Sequence, residues 1–478
     1  MNVLSGRIEK DFLGEKEVPD HVYYGIQTMR ATENFPITKE RMHPELIRAI
    51  GIVKKAAAIS NYLVNDLPKE VGMAIVEASD EVISGKLNDH FIVDPIQGGA
   101  GTSFNMNANE VIANRALEIL GHEKGDYAKI SPNNHVNMSQ STNDAFPTAI
   151  KIATLQLVNE LLETMEQFVN ELKAKEQEFD SVIKMGRTHL QDAVPIRLGQ
   201  EFGAYRSVIQ RDIERVARTK IHLSEVNMGA TAIGTGLNAN AEYIENVAEQ
   251  LRTFSELPLK TAGNLIDSTQ NTDAYTELSS TLKISMINLS KMANDLRLMA
   301  SGPRAGLSEI NLPLRQPGSS IMPGKVNPVM AEVMNQIAFQ VIGNDHTISL
   351  ASEAGQFELN VMEPVLVYNL LQSLTIMKNG IQVFREYCIS GITANTEQMR
   401  EYVEKSIGTL TALSPYIGYE MSSKIARESF ETGVPIKDLC LHYKVLTNDE
   451  LDTLLNPYQM TELKKVEKEE SKATQTIS

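Results

Sequence analysis

No tryptophan occurs among the 478 residues, and there are only two cysteines, Cys388 and Cys440. Two cysteines so placed make neither a disulfide framework nor metal-ligand spacing. The nine histidines are scattered, so no metal site and no cofactor are expected. Basic residues are also short, 45 against 61 acidic for a net charge of −16. A surface of that sign repels a phosphate backbone, which argues against nucleic acid as a partner. No apolar run is long enough to span a bilayer, and the opening MNVLSGRIEKDFLG has no apolar signal core, so no membrane partner and a cytoplasmic location are expected. Phosphate-loop, HExxH and GxSxG motifs are missing. Gly234-Thr235-Gly236 after Gly229 lacks the third glycine and the flanking strand of a dinucleotide fold. Hydrolase, kinase and dehydrogenase chemistries lose their usual supports.

What is present is helix. Three long segments carry neither Gly nor Pro, between Pro147 and Gly186, between Gly203 and Gly229, and between Gly263 and Gly302. In the first, Leu155, Val158, Leu162, Met165, Val169 and Leu172 recur three and four apart and line one helical face. The third repeats this with Leu278, Leu282, Leu289, Met292, Leu296 and Met299, interrupted by Ser285. A helix of roughly 38 residues, at ~1.5 Å each, is a rod of about 57 Å. A single-chain core would struggle to cover such rods, so bundle packing shared with sister subunits is compatible with the stripes. The 20 methionines read as core filler. Length alone suggests about three domains. The boundaries expected are an N-terminal, mixed and mostly helical part over 1–140, a central long-helix bundle over 141–394 with a mobile loop at 317–328, and a small C-terminal helical part over 395–478. The Lys-, Glu-, Ser- and Thr-rich tail from Thr461 is expected to fray.

Four polar stretches, three of them containing glycine, interrupt the rods: Gln97–Ser103, Ser139–Asp144, Gly186–Asp192 and Gly318–Pro328. Each clusters hydroxyl and amide donors with few acids, a set that suits a small dicarboxylate. Taken singly, each reads more readily as a helix cap than as a ligand site; four together point toward function. An acidic protein that binds an anion needs local positive charge, for which Lys325, Arg187 and helix N-termini are candidates. In Gly318–Pro328, glycines give hinge-like freedom while Pro323 and Pro328 restrict it. Met322 and Val326 gain little in an exposed tip, so the loop is expected to fold over something, as a lid would. His189 alone reads as a satisfied polar residue. Asp144 suits a helix cap as well as a base.

Gly318 to Pro328, reading GSSIMPGKVNP, matches the GSSxMPxKxNP signature at every fixed position. The chain thus resembles the fumarase/aspartase superfamily over nearly its whole length. Within it the chain looks like the Bacillus-type aspartate ammonia-lyase branch, through Arg30–Phe35, Gln97–Ser103, His135–Asp144 and Gly302–Leu307. Fumarases typically carry GSGTxxNMN and VNxSQSSND forms of the second and third stretches, whereas Ala100 and Thr142 fall on the aspartase side. The resemblance implies a mainly α fold with three domains, whose central bundles pack into a homotetramer with composite active sites.

It also implies roles. Ser319, rather than Ser320, is the base that takes the Cβ proton of aspartate. Thr102, Ser141, Thr142 and Ser320 hold the β-carboxylate as it becomes an enediolate. Asn143 and His189 lie near the amino group. Thr188, Lys325 and Asn327 bind the α-carboxylate, Met322 shapes the wall, and Glu332 partners the histidine. Ala331 departs from the family's VNPVxPE, and losing that proline is expected to loosen the helix start after the loop. The chemistry sets a condition on Ser319: a hydroxyl is too weak a base unless loop N–H groups and a cation hold it as an oxyanion. The leaving group departs as neutral ammonia and needs no strong acid, which makes His189 an orienting group. Alternatives are fumarase, on the same fold, and a helical scaffold without catalysis, against which intact Ser319, Lys325 and Asn327 argue.

Overall fold

A computed structural model of the chain describes residues 5–462; most of the tail expected to fray lies outside them. The fold is mainly α. Two N-terminal strands, β1 Gly6–Asp11 and β2 Gly14–Pro19, pair antiparallel. Helices α1 Ile26–Asn34, α2 Pro44–Leu63, α3 Lys69–Ile83, α4 Thr102–Ile119 and α5 Thr142–Glu178 follow. A hairpin of β3 Ile183–Thr188 and β4 Gln191–Arg197 leads into α6 Leu198–Leu223. Then come α7 Ala241–Ser255, α8 Leu265–Gln270, α9 Asp273–Met299, α10 Val329–Glu353 and α11 Glu363–Tyr387, with short helices beyond. No helix among the described residues is long and apolar enough to cross a membrane.

The three rods exist, with adjusted ends. Helix α5 runs 37 residues and starts at Thr142, before Pro147. A proline inside a helix leaves the carbonyl four residues earlier without its donor. Here that carbonyl, Asn143 O, accepts from Asn227 Nδ2 at 3.0 Å instead. In α5 five of the six expected apolar positions are buried; the exception is Leu162, half-buried beside a buried Leu161. In α9 all six expected apolar positions are buried. Ser285, the interruption, is buried as well and donates to Thr281 O at 3.2 Å, which satisfies its hydroxyl within the helix.

The chain divides into two compact units. One comprises the chain up to Gln167 with Ile209–Lys291 and Glu332–Val383. Its core includes Ile50, Val53, Ile75, Val82 and Val111 from α2, α3 and α4, and a run of rings, Phe91, Phe104 and Phe146, at centroid spacings of 6.0 and 5.9 Å. The other comprises Phe168–Val208, Met292–Ala331 and the chain from Phe384. There Leu410, Leu413, Ile425, Leu439, Cys440 and Leu451 form a core, and Phe202 packs between Phe179 and Tyr205. Cys388 and Cys440 are buried free thiols.

In the first unit some long helices keep an apolar stripe on the outside. Ile284 and Ile287 of α9, and Phe339, Ile342 and Leu350 of α10, are all exposed, and the α10 three recur at helical spacing along one face.

Glu363 opens α11 and is 4% exposed. Burial pushes its carboxyl up to about 8, against an opposing pull from Lys151. The native state therefore keeps this proton while an unfolded chain has lost it, so the stabilising contribution is full below the ordinary carboxylate range and is lost as pH rises through about 8. Thermal unfolding of Glu363→Gln should show a flatter pH profile than the parent from pH ~5 to 8, and a melting temperature higher by about 3 °C or more at the upper end. Parallel profiles would refute this.

Candidate active site

The expected residues fall in two groups, one per unit, and each is built by helix starts or tight loops.

In the first unit, α4 begins at Thr102 after Gly101, whose φ is +87°. A Cβ there would also run into the Phe146 ring, so only glycine turns the chain at that point. Thr102 is exposed and its hydroxyl donates to Gly99 O at 2.7 Å. At the start of α5, Ser141 Oγ accepts from Asn143 N at 3.2 Å while Asp144 Oδ1 accepts from Ser141 N at 2.8 Å. Ser141 thus caps the second N–H of the helix through its hydroxyl, while Asp144 closes back on the N–H of the cap residue as the acid of a capping box does. Asp144 Oδ2 also accepts from Gly229 N and Thr231 N at 3.1 and 2.9 Å. Asp144 is fully buried, and burial pushes its carboxyl up to about 6 against those backbone donors. Of the two readings left open for Asp144, the cap is the one the structure adopts.

Asn143 Nδ2 donates to Ala232 O at 2.7 Å. Its Oδ1 is left as an acceptor, the polarity an ammonium group requires. Thr142, 9% exposed, receives Asn105 Nδ2 on its Oγ1 at 3.2 Å, which ties the beginnings of α4 and α5 together. Glu332 sits half-buried in the first turn of α10.

In the second unit, Thr188 and Gln191 face each other across the β3–β4 hairpin, and His189 and Leu190 form its two-residue turn with φ of +54° and +60°. Left-handed values at both positions define a type I′ turn, which ordinarily carries Asn-Gly. A β-branched-free but bulky pair there is backbone strain of the kind concentrated at functional sites. Thr188 and His189 are exposed.

The turn is held from below. Arg187 Nη1 meets Glu309 Oε1 at 2.7 Å, and Lys184 Nζ lies 3.5 Å from Glu309 Oε2. Glu309 is fully buried, and the Arg187 guanidinium also covers the Tyr402 ring at 5.7 Å. Arg187 is thus neutralised, and the expectation that it lends the site positive charge is corrected. Removing the guanidinium leaves the buried Glu309 with Lys184 alone, 3.5 Å away, in place of its closer partner, a costly loss for a buried charge. Arg187→Ala should cost about 3 kcal/mol of stability in denaturant titration; a loss below about 1 kcal/mol would contradict the clamp.

The loop from Gly318 is closed on itself. Gly318 N donates to Lys325 O at 2.7 Å, and Asn327 Nδ2 donates to Gly318 O at 3.0 Å. A Cβ on Gly318 would stand 2.8 Å from Asn327 N and from Lys325 O, so this close approach admits no side chain. Within the loop, Ser319 Oγ accepts from Ile321 N at 3.2 Å and from Met322 N at 3.1 Å. Two backbone donors on one serine oxygen are half of the condition set for an oxyanion base. The cationic half is not in place: Lys325 is exposed and makes no hydrogen bond or ion pair through its side chain among the described residues. Ser320, Met322 and Val326 are exposed too. The expectation that apolar loop residues are covered is not met within the single chain.

Ala331 is fully buried and its N–H donates to Pro328 O at 3.0 Å. Proline at that position would lack the donor, so the departure from the family pattern adds a bond to the helix start rather than removing one.

A family model described as a lyase matches residues 14–343. The chain belongs to this lyase family. A second model, described as the C-terminus of fumarase C, matches residues 410–462. An aspartate ammonia-lyase from a Bacillus species is 68% identical over 455 residues, covering 95% of this chain and 97% of that one. The aspartate ammonia-lyase of Bacillus subtilis is 67% identical, with 95% and 96% covered. Among solved structures, a fumarate lyase:delta crystallin from Brucella melitensis bound to cobalt shares 47% identity at a TM-score of 0.94, covering 96% of this chain and all of that one. A class II fumarase from Schistosoma mansoni shares 33% at 0.91, with 96% and 99% covered. The lyase family, the helical fold and the aspartase-side resemblance are as the sequence implied.

Sequence reasoning missed two parts of the site region. One is the clamp of Arg187 by Glu309, which lie 122 residues apart with nothing to link them in a single sequence. The other is Lys54, buried beneath the start of α5, whose Lys-Lys-Ala-Ala-Ala context reads as a solvated helix.

Proposed function

We propose that this chain is a carbon–nitrogen lyase that reversibly deaminates L-aspartate to fumarate and ammonia. The observation that carries the mechanism is the pair of N–H groups on Ser319 Oγ. Such donors favour the oxyanion and so make a serine a usable base. Ser319 removes the Cβ proton. Ser141, Thr142 and Ser320 donate to the β-carboxylate as it takes up the carbanion's charge in an enediolate, joined by Thr102 once its hydroxyl turns from Gly99 O. The C–N bond then breaks, its electron pair leaving with nitrogen as ammonia, while Cα and Cβ become the double bond of fumarate. Asn143 Oδ1 and His189 hold the amino group. Thr188, Lys325 and Asn327 bind the α-carboxylate beside Met322, and Glu332 orients His189.

The assembly we propose is a homotetramer with composite active sites, working in the cytoplasm. The exposed stripes of α9 and α10 support a shared bundle, since equivalent helices would cover them. Sites completed by sister subunits also give Lys325, Ser320 and Met322 a place out of water. Fumarate absorbance after addition of L-aspartate or L-malate tests the reaction. Fumarate from aspartate is expected. Fumarate from malate alone would make the protein a fumarase, and none from either would leave a scaffold.

A further inference from the structure

Lys54 of α2 takes no part in the steps above, yet it is fully buried. Its ammonium donates to two amide oxygens, Asn137 Oδ1 at 3.0 Å and Gln140 Oε1 at 2.9 Å, and it pairs directly with no carboxylate among the described residues. Burial lowers its pKa to about 7, with Asp144 pulling the other way. Packing alone does not call for this, because an apolar side chain of similar volume would avoid the desolvation cost.

The lysine settles a chain of orientations. An ammonium has only donors, so Asn137 must turn its oxygen toward it. That oxygen also accepts from Asn105 Nδ2 at 3.1 Å and Asn109 Nδ2 at 3.2 Å, while Asn137 Nδ2 donates to Gln140 O at 3.2 Å. Asn105 therefore points its amide nitrogen inward, and the same nitrogen donates to Thr142 Oγ1. These orientations hold although they leave Oδ1 of both Asn105 and Asn109 buried without a partner. With its oxygen occupied as an acceptor, the Thr142 hydroxyl has a proton to give and no acceptor for it among the described residues.

We propose that Lys54, acting through Asn137 and Asn105, is a positioning residue that fixes the Thr142 hydroxyl as a donor toward the substrate carboxylate. The inference rests on the assignment of Thr142 to the β-carboxylate. Its effect falls on kcat more than on KM, because that carboxylate gains its extra negative charge only in the transition state.

The test is a pair of double-mutant cycles on the full-length protein, read as turnover of L-aspartate. Lys54→Met, Asn105→Ala and Thr142→Val should each lower kcat by about tenfold or more, since one correctly aimed donor is typically worth ~10²–10³ in rate. Adding Thr142→Val to either of the others should bring little further loss, because the hydroxyl whose direction they set is gone. Fully additive losses would overturn the proposal, as would parental kcat in folded Asn105→Ala. Asn105→Ala leaves Lys54 both its amide oxygens, so it tests the relay even where Lys54→Met does not fold. A parent protein that yields no fumarate from aspartate would instead sink the functional reading, an outcome distinct from additive cycles.

Discussion

Ser319→Ala should lower kcat for L-aspartate by about 10³-fold or more, the scale on which losing an activated nucleophile or base is felt. The substitution removes one half-exposed oxygen whose contacts are two amides of its own loop. Folding stability should therefore change by no more than ~0.5 kcal/mol, and the oligomer should persist. The two N–H groups left behind turn to water. Because the carboxylate donors are other residues, Ser320, Lys325 and Asn327 of the same loop among them, binding of a dicarboxylate such as succinate should remain close to that of the parent. Stopped-flow turnover with calorimetric binding decides it. A variant within tenfold of parental kcat would place the base on another residue.

A charge set into the exposed α9–α10 stripe should dissociate the assembly and abolish turnover with it. Ile287 and Phe339 are 50% and 65% exposed. If sister helices cover them, each contributes roughly 1–2 kcal/mol of further burial, and symmetry repeats the contribution in every subunit. Ile287→Asp combined with Phe339→Glu replaces that gain by unpaired carboxylates, at a cost of several kcal/mol per site. Sedimentation velocity should show species smaller than the parent's, with kcat at least about 100-fold lower on the scale of losing site donors. A tetramer of parental mass would mean that these faces are not the interface. Dissociated subunits with full activity would show that each site is complete in one chain.

The helices were more legible than the site. Apolar spacing of three and four finds the core face of α9 at every position named, because a long amphipathic rod leaves little ambiguity of phase. In α5 the same rule takes Leu162 where Leu161 is the buried one, although Met165, Val169 and Leu172 beyond it are buried as counted. Helices α10 and α11 did not stand out as rods. Each contains a glycine, Gly343 or Gly380, and tertiary packing overrides its low propensity. In the sequence the β3–β4 hairpin shows only as a polar interruption, since its turn carries His-Leu where local chemistry favours Asn-Gly.

Capping leaves room for binding in one stretch. Ser141 and Asp144 satisfy the start of α5, and this leaves the hydroxyl proton of Thr142 uncommitted. A single sequence shows the donors but not which of them are already spent. That depends on partners such as Ala232, Gly99 and Asn105, brought together only by folding.

The two amide bonds to Ser319 also bear on timing. They are strongest while its oxygen carries charge, and weaken once that oxygen has taken a proton. On the proposed reaction, the loop is tightest before proton transfer and slackens once Ser319 holds the proton, and it stays slack through the loss of ammonia until fumarate has left and the proton is given up.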